Sequence, residues 1–296
     1  MIIEFLKAVL YGLVEGITEW LPISSTGHLI LFERFLGFRA GAELGEEFLA
    51  EFSEMFQVVV QLGAILAVVV VFFAKLNPFS TEKGAHIKKD TVIMWLKIAV
   101  ASIPAAFAGI VFDKILEKAT GKDIDGWLYN AAVVAVALIV YGILFIVIER
   151  ANREKTPKVT EMSQISFGRA FLIGIFQMLA IIPGTSRSGS TILGSMMLGL
   201  SRTLAAEFSF FMAIPAMLGA SAIKLLGFFD YLSDTAISVP LEVWGVLLIG
   251  CAVAFFTSLA AIRFLTDFVK KHSFSAFGIY RIALGAILIL YFIIGA

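Results

Sequence analysis

Two acidic residues, a serine and a histidine near the start of the chain have the types and spacing needed for hydrolytic chemistry. Glu15 and Glu19 are four residues apart, so a helix places both carboxylates on one face. Ser25 precedes His28 by three residues, so a second helix would bring this hydroxyl within reach of the imidazole. An imidazole or a carboxylate can accept the proton of an attacking hydroxyl. We therefore predict Ser25 as nucleophile and His28 or a glutamate as base, with His28 as nucleophile and purely structural polar contacts left as alternatives.

The turn between these pairs has the features of an anion site. Pro22 ends the first helix, because proline cannot donate a backbone hydrogen bond. Ser24, Ser25 and Thr26 are then candidate caps for the next helix. A helix start with free N–H groups and clustered hydroxyls is suited to binding phosphate. Plain helix capping is the common role of such residues and stays open as the simpler interpretation.

A second polar turn occurs in the other half of the chain. Pro183-Gly184 breaks an incoming helix, and Arg187 follows among hydroxyls. Arginine keeps its charge and offers a planar fork of donors suited to bidentate phosphate binding. We predict that Arg187 binds phosphate together with hydroxyls from both turns, namely those of Ser24, Thr26, Thr185, Ser186, Ser188 and Thr191.

Composition places the chain in a membrane. It has 296 residues, of which 59% are hydrophobic and 16% are charged, and its mean hydropathy is +0.94. Soluble domains carry about 25% charged residues. The formal net charge of +0 argues against a nucleic-acid partner, and the single cysteine, Cys251, excludes disulfides. We predict an all-α polytopic membrane protein, with residues 1–296 forming a single membrane domain.

Apolar runs predict six spanning helices and two interrupted stretches. A span needs about 20 apolar residues. The interrupted stretches, 3–36 and 167–200, break at Pro22 and at Pro183-Gly184, so each half is too short to cross. Both are interpreted as re-entrant helix hairpins. The six full spans are 55–74, 91–112, 128–148, 203–226, 241–263 and 276–295.

Loop charges predict an inverted repeat. Basic loops at 75–90, 149–169 and 263–272 are assigned to the cytoplasm, and acidic loops at 37–54 and 227–240 to the outside. Each half is then one hairpin plus three spans, with the first repeat at 1–150 and the second at 165–296, inverted relative to each other. At an offset of 162 residues, Ser24 aligns with Ser186 and Gly27 with Gly189, among other matched pairs.

The sequence says less about metal binding and about the oligomeric state. No histidine pair has metal spacing, which argues against zinc. Glu15 and Glu19 could hold Mg²⁺ or Ca²⁺ together with a substrate phosphate, and no organic cofactor is expected. The oligomeric state is open, and a homodimer is one alternative.

Three polar groups elsewhere in apolar segments have weaker assignments. Gln61 could serve only as an interhelical hydrogen-bonding group. Arg202 is interpreted as an anchor at the cytoplasmic boundary. Arg281 could equally snorkel to the interface or have a functional role.

The chain resembles the bacterial undecaprenyl pyrophosphate phosphatase family, known for bacitracin resistance. The resemblance covers the whole chain and rests above all on EGITE at 15–19, LPISSTGH at 21–28 and PGTSRSGST at 183–191. Shorter matches are VQLGA at 60–64, EFSF at 207–210 and IYR at 279–281. It implies an inverted-repeat fold, stimulation by a divalent cation, and an active site formed by Glu15, Glu19, Ser25, His28 and Arg187.

The same resemblance implies an activity and a location. The expected reaction removes the terminal phosphate of undecaprenyl diphosphate, a prenyl diphosphate lipid, at the outer face of the bacterial cytoplasmic membrane. Its product, undecaprenyl phosphate, is recycled for peptidoglycan synthesis. A transporter or flippase of a lipid phosphate or another anion is the alternative, since broken helices in inverted repeats are common in transporters. The chemistry of soluble-type acid phosphatases is disfavoured, because Phe208 stands where that pattern requires a second histidine.

Overall fold

The computed structural model describes residues 1–80, 87–121, 127–128 and 130–294. Within these ranges the chain is helical, and the only β-type pairings are two isolated bridges. In chain order the helices are α1 (Ile2–Thr18), α2 (Ser25–Leu36), α3 (Glu46–Val59), α4 (Gln61–Val71), α5 (Phe73–Leu76), α6 (Lys89–Phe107), α7 (Asp113–Thr120), α8 (Ala131–Asn152), α9 (Phe167–Met178), α10 (Arg187–Met197), α11 (Arg202–Thr235), α12 (Leu241–Lys271) and α13 (Ser275–Ile294).

The membrane assignment is confirmed in its coarse form. Among the described residues, five helical segments are long and apolar enough to cross a bilayer, so the chain is a multi-pass membrane protein. The predicted span 276–295 corresponds to α13, and its last residue lies outside the described ranges. The five segments are Glu46–Val71, Lys89–Thr120, Ala132–Asn152, Arg202–Thr235 and Leu241–Lys271.

Several predicted loops are wrong, because helices continue beyond the apolar runs that predicted them. The acidic stretch 37–54 is helical from Glu46, and the stretch 227–240 is helical to Thr235. Phe228 packs in the core while the acidic side chains Asp230 and Asp234 are exposed. An amphipathic continuation of this kind stabilises a helix without raising its hydropathy. The basic stretch 263–272 likewise belongs to α12, which ends at Lys271.

Both interrupted stretches form helix–turn–helix hairpins, as the prolines predicted. The first pairs α1 with α2, and the second pairs α9, followed by a short 3₁₀ turn, with α10. The two hairpins bring their turns together, so residues far apart in sequence share one site.

Close packing between helices depends on small residues. A Cβ added at Gly16 on α1 would lie 2.7 Å from the carbonyl oxygen of Ala254 on α12. Gly142 on α8 and Gly278 on α13 show a reciprocal contact, in which each would-be Cβ lies within 2.7 Å of the other residue's carbonyl oxygen. Small residues let backbones approach where lipid gives no hydrophobic drive for association. The glycines therefore set the separation of the helices that hold the site.

Gly16→Ala is expected to destabilise the protein by about 1–3 kcal/mol, because the added methyl group overpacks the contact between α1 and α12. The matched control is Gly219→Ala on α11, where no atom lies within 4 Å of the added Cβ. This control should be neutral or stabilising by up to about 1 kcal/mol, since alanine favours helix. Thermal unfolding in detergent measures both variants. Equal unfolding temperatures would contradict the importance of this contact.

Candidate active site

A cavity of about 200 Å³ lies where the two hairpin turns meet. Its walls come from the turn between α1 and α2, the turn between α9 and α10, and the flanking helices α4 and α11. Six polar residues named in the sequence analysis line the cavity. Four come from the first half of the chain, namely Glu19, Ser25, Thr26 and Gln61, and two come from the second half, namely Ser186 and Arg187. The prediction that the two turns share a site agrees with this geometry.

Glu19 is the centre of the cavity's polar network. Its Oε2 accepts a hydrogen bond from the Ser25 hydroxyl at 2.6 Å, and its Oε1 pairs with Arg187 Nη2 at 3.0 Å. Ser25 and Glu19 are buried, and Arg187 is mostly buried. A charge-assisted hydrogen bond of this kind holds a hydroxyl in one orientation. The hydroxyl thus donates to a carboxylate, whereas the sequence left the glutamates and His28 open as its base.

Arg187 is fixed from two sides. Its Nη1 donates to the carbonyl oxygen of Ser209 on α11 at 2.8 Å, while Nη2 pairs with Glu19. Its Nε is buried and has no hydrogen-bond partner in the described part of the chain. The guanidinium carbon also lies 6.0 Å from the ring centre of Trp20. A cation held in this way beside the Ser25 hydroxyl can stabilise negative charge on a transferring phosphoryl group.

The two helices that begin at the cavity start in the same manner. Ser24 caps α2 and Ser186 caps α10, each accepting from the backbone N–H three residues later. Both serines have a left-handed φ, 73° and 70°. This conformation is costly for residues other than glycine, asparagine and aspartate, and such strain concentrates at functional sites. The helix starts orient free N–H groups toward the turns.

Three predicted phosphate ligands are engaged in internal hydrogen bonds. The Thr185 hydroxyl donates to carbonyl oxygens of Leu179 and Ile182, and the Ser188 hydroxyl donates to that of Glu19. Thr191 bonds to the Ser209 hydroxyl at 2.6 Å. None of the three lines the cavity. The geometry gives them a role in shaping the turns, whereas Thr26 and Ser186 border the open space.

Glu15 lies behind the cavity. It is fully buried, and neither carboxylate oxygen has a hydrogen-bond partner among the described residues. It is close enough to interact electrostatically with Glu19 and Arg187. A buried carboxylate without partners is costly unless a proton, a cation or a ligand compensates it. Its donor chemistry suits Mg²⁺ or Ca²⁺, which bind carboxylate oxygens and keep water and phosphate as further ligands.

His28 does not border the cavity. Its Nδ1 donates to the carbonyl oxygen of Ser24 at 2.7 Å, and its Nε2 lies 2.7 Å from the Tyr280 hydroxyl. Because a carbonyl only accepts, the neutral imidazole takes its second hydrogen bond from Tyr280. The predicted contact between His28 and the Ser25 hydroxyl is therefore absent from the described hydrogen bonds. Tyr280 was missed in the sequence as a partner, because nothing in the sequence links it to His28.

Arg281 forms hydrogen bonds with the backbone of both hairpin turns. It is fully buried; its Nη1 donates to the carbonyl oxygen of Pro22, and its Nη2 donates to those of Gly184 and Thr185. The snorkelling alternative is wrong, because no part of the side chain reaches an interface. Arg281 satisfies carbonyls that the helix breaks leave without partners and thereby holds the two hairpin turns against each other.

Arg281→Met is expected to lower the free energy of unfolding by about 3 kcal/mol or more, because three buried carbonyl oxygens lose their donors. Arg281→Lys should fall between this variant and the wild type. Arg263→Met, at an exposed arginine on α12, is the matched control and should change stability little. Thermal unfolding in detergent compares them. A melting temperature of Arg281→Met equal to that of the control would contradict the connecting role.

The chain is similar to known proteins over nearly its full length. The family model described as "Bacitracin resistance protein BacA" matches residues 8–287. A Desulfitobacterium hafniense protein named "Undecaprenyl-diphosphatase" is 50% identical over 293 residues, covering 98% of this chain and 97% of its own. Proteins of the same name from Acetivibrio thermocellus and Enterococcus faecalis are 49% and 48% identical, each covering at least 97% of both chains.

Proposed function

The chain belongs to the BacA family of bacitracin resistance proteins, and from this premise we propose that it is an undecaprenyl-diphosphatase. The reaction removes the terminal phosphate of undecaprenyl diphosphate and yields undecaprenyl phosphate. Relatives bearing that name match the chain over nearly its full length. The observation that carries the proposal is the chain of contacts from Arg187 through Glu19 to the Ser25 hydroxyl inside one cavity.

The first chemical step is attack by Ser25. Its Oγ forms a bond to the terminal phosphorus, and the bond from that phosphorus to the bridging oxygen breaks. Prenyl phosphate leaves as an anion and needs no proton. Glu19 Oε2 takes the serine proton along the existing 2.6 Å hydrogen bond. Arg187 stabilises the charge on the transferring group, since positioning and electrostatics supply most of the catalysis in phosphoryl transfer.

The second step releases phosphate from the phosphoserine. A water oxygen attacks the phosphorus, and the bond to Ser25 Oγ breaks. The proton held on Glu19 returns to the serine oxygen, so the enzyme regains its starting state, and inorganic phosphate carries the protons of the water. The same carboxylate thus acts as base and then as acid, as microscopic reversibility requires.

A divalent cation fits this site beside the acidic residues. Glu15 and Glu19 would hold it, because Glu15 has two buried oxygens without partners. The described residues offer no group of three or more His, Cys, Asp and Glu side chains, so substrate phosphate and water would complete its ligands. A bound Mg²⁺ or Ca²⁺ supplies positive charge that offsets the charge of the diphosphate.

We propose the inverted repeat as the framework of the site. The first helix of each hairpin packs on the second span of the other half, α1 on α12 and α9 on α6. The third spans of the two halves, α8 and α13, pack on each other. The matched caps Ser24 and Ser186 add support at the predicted offset. Hairpins that enter from opposite leaflets would meet near the middle of the membrane.

The proposed location is the bacterial cytoplasmic membrane, with the active site reached from the outer side. The loops rich in lysine and arginine, 149–169 above all, are assigned to the cytoplasm. The hairpin of α1 and α2 then enters from outside, next to the acidic segment that leads into α3. The prenyl tail stays in lipid while the diphosphate reaches the cavity.

Phosphate release tests the function directly. Purified protein in detergent is given a long-chain prenyl diphosphate, and inorganic phosphate is measured with and without Mg²⁺ or Ca²⁺. We expect turnover that a chelator reduces. A protein that only transports or flips lipid releases no phosphate, so an absence of release with every cation tried would overturn the proposal. The matched inactive control is Glu19→Gln, which keeps the side-chain shape and removes the base.

A further inference from the structure

A second and larger cavity, of about 950 Å³, lies at the other end of the second hairpin. Its wall contains Arg169 from the start of α9 and Met196–Leu200 at the end of α10, whereas the catalytic cavity uses the opposite ends of these helices. The 11 residues of α10 separate the two by roughly 16 Å, at 1.5 Å per residue. The larger cavity is therefore distinct from the proposed active site.

Positive charge dominates the wall of this cavity. Six cationic side chains line it and no acidic one does: Arg153, Lys155, Lys158, Arg169, Arg202 and Lys270. Arg202 is neutralised by Glu149 and Lys270 by Asp267. The other four have no ion-pair partner within the ranges that the structure describes. Unpaired like charges gathered around one concave space repel each other, and an anion bound there relieves the repulsion.

The backbone around the cavity is held in place and is not a loose loop. The N–H groups of Lys158 and Val159 both donate to the carbonyl oxygen of Gly199, and the N–H of Ser201 donates to that of Val159. Gly199 has a φ of +89°, a conformation that suits glycine at this turn. These bonds join the segment after α8 to the turn between α10 and α11. The cationic side chains are thereby presented from two elements at once.

One side of the cavity is apolar and faces outward. Leu172 and Met197 line it and are 43% and 58% exposed, respectively. Leu172 lies one helical turn beyond Arg169, so the cation and the apolar side chain share one face of α9. A free phosphate ion has no use for such a surface, whereas an acyl chain does. The combination fits an amphiphile whose phosphate contacts the cations and whose tail covers the apolar side.

We propose that this cavity binds the phosphate-bearing headgroup of an anionic membrane phospholipid. Its four cations without an ion-pair partner belong to the basic segment 149–169, which the positive-inside rule assigns to the cytoplasm, so the lipid comes from the inner leaflet. Basic pockets between membrane helices on that side are suited to anionic headgroups. A volume of about 950 Å³ accommodates a headgroup together with the first part of its chains. Lipid binding at this site does not depend on hydrolysis of substrate in the proposed active site.

The test compares lipid binding by two charge-matched double variants of the full chain. Lys155→Gln with Arg169→Gln removes two cations from the cavity. Lys88→Gln with Lys89→Gln removes two exposed cations from another basic segment on the same side, outside the cavity. Each protein is placed in nanodiscs of phosphatidylcholine with a small share of phosphatidylglycerol, and retained lipid is counted by native mass spectrometry. Phosphate release and thermal unfolding, both expected at wild-type level, show that each variant is folded.

We expect wild type and the Lys88/Lys89 variant to retain phosphatidylglycerol over phosphatidylcholine. The cavity variant should bind it about 25-fold more weakly, at about fivefold for each of the two cations removed. Equal retention by the two double variants would overturn the proposal, as would equal retention of the two lipids by wild type. Displacement of the lipid by millimolar inorganic phosphate would assign the cavity to a soluble anion and would overturn the lipid as its ligand. The single variant Lys155→Glu, at an exposed position, should weaken binding further than Lys155→Gln.

Discussion

Ser25→Ala is expected to abolish phosphate release while keeping the helical fold, at a cost of about 1–3 kcal/mol in stability because Glu19 loses a buried donor. The loss should be about 10⁶-fold in kcat, the order of magnitude seen when the serine nucleophile is removed from a hydrolase. The physical reason is the 2.6 Å hydrogen bond to Glu19, which both orients the serine oxygen and provides a place for its proton. Phosphate release from long-chain prenyl diphosphate is the measurement.

The covalent intermediate separates the serine mechanism from the histidine alternative. Phosphoserine withstands acid and is cleaved by base, whereas phosphohistidine is cleaved by acid. Rapid acid quenching with labelled substrate should therefore leave label on a peptide containing Ser25. His28 has both ring nitrogens in hydrogen bonds, to Ser24 and Tyr280, so His28→Gln should retain the labelled species. Label that is lost in acid and absent from His28→Gln would contradict the serine assignment.

Ser102→Ala provides the control for removing a partly buried serine hydroxyl. This serine donates to the carbonyl oxygen of Ile98 within α6 and has no contact with the cavity. Its loss should change activity by less than about threefold, since this hydroxyl does not line the cavity and bonds only within its own helix. An equal fall in activity for Ser25→Ala and Ser102→Ala would show that the serine effect is structural.

The two helix hairpins could be predicted from the sequence because proline and glycine affect the backbone close to their own positions. Pro22 and Pro183-Gly184 lie next to clustered serines and threonines that can cap the following helix, and this combination predicts a break. Proline alone is not sufficient, since Pro104 and Pro215 lie inside continuous helices. That Arg187 and the polar residues of the first turn share one site was also predicted, whereas the ion pair of Arg187 with Glu19 was not. Of the predicted phosphate ligands, Thr26 and Ser186 reach the cavity. Local rules were sufficient for those residues.

Long-range partners could not be predicted by the same reasoning. The contact of Arg281 with Pro22 joins residues 259 positions apart, and no periodicity encodes it. The same holds for His28 with Tyr280, 252 positions apart. Span ends were misjudged for a different reason, since hydropathy measures apolar length and not helix length. The last turns of α11 are amphipathic, and they were assigned to a loop although Phe228 anchors them in the core.

Arg187→Met is expected to reduce kcat/KM by about 10²-fold to 10³-fold and to destabilise the protein by about 3–5 kcal/mol. The activity falls because the preorganised cation beside Ser25 is lost, and one such donor is worth about 10²-fold to 10³-fold. The stability falls because Glu19 keeps its buried charge without its partner at 3.0 Å. Arg187→Lys, which keeps the charge but not the planar fork, should recover most of the stability and only part of the activity. Phosphate release and thermal unfolding measure the two effects.

The double variant Arg187→Met with Glu19→Gln separates these two effects of the arginine. Removing both charges leaves a neutral pair, so the double variant should regain most of the stability that Arg187→Met loses. Its activity should stay at or below that of either single variant, because Glu19 accepts the Ser25 proton and Arg187 stabilises the transferring phosphoryl group. If activity instead returned together with stability, Arg187 would act only as the structural partner of Glu19. In that case phosphate binding would depend on the helix starts capped by Ser24 and Ser186.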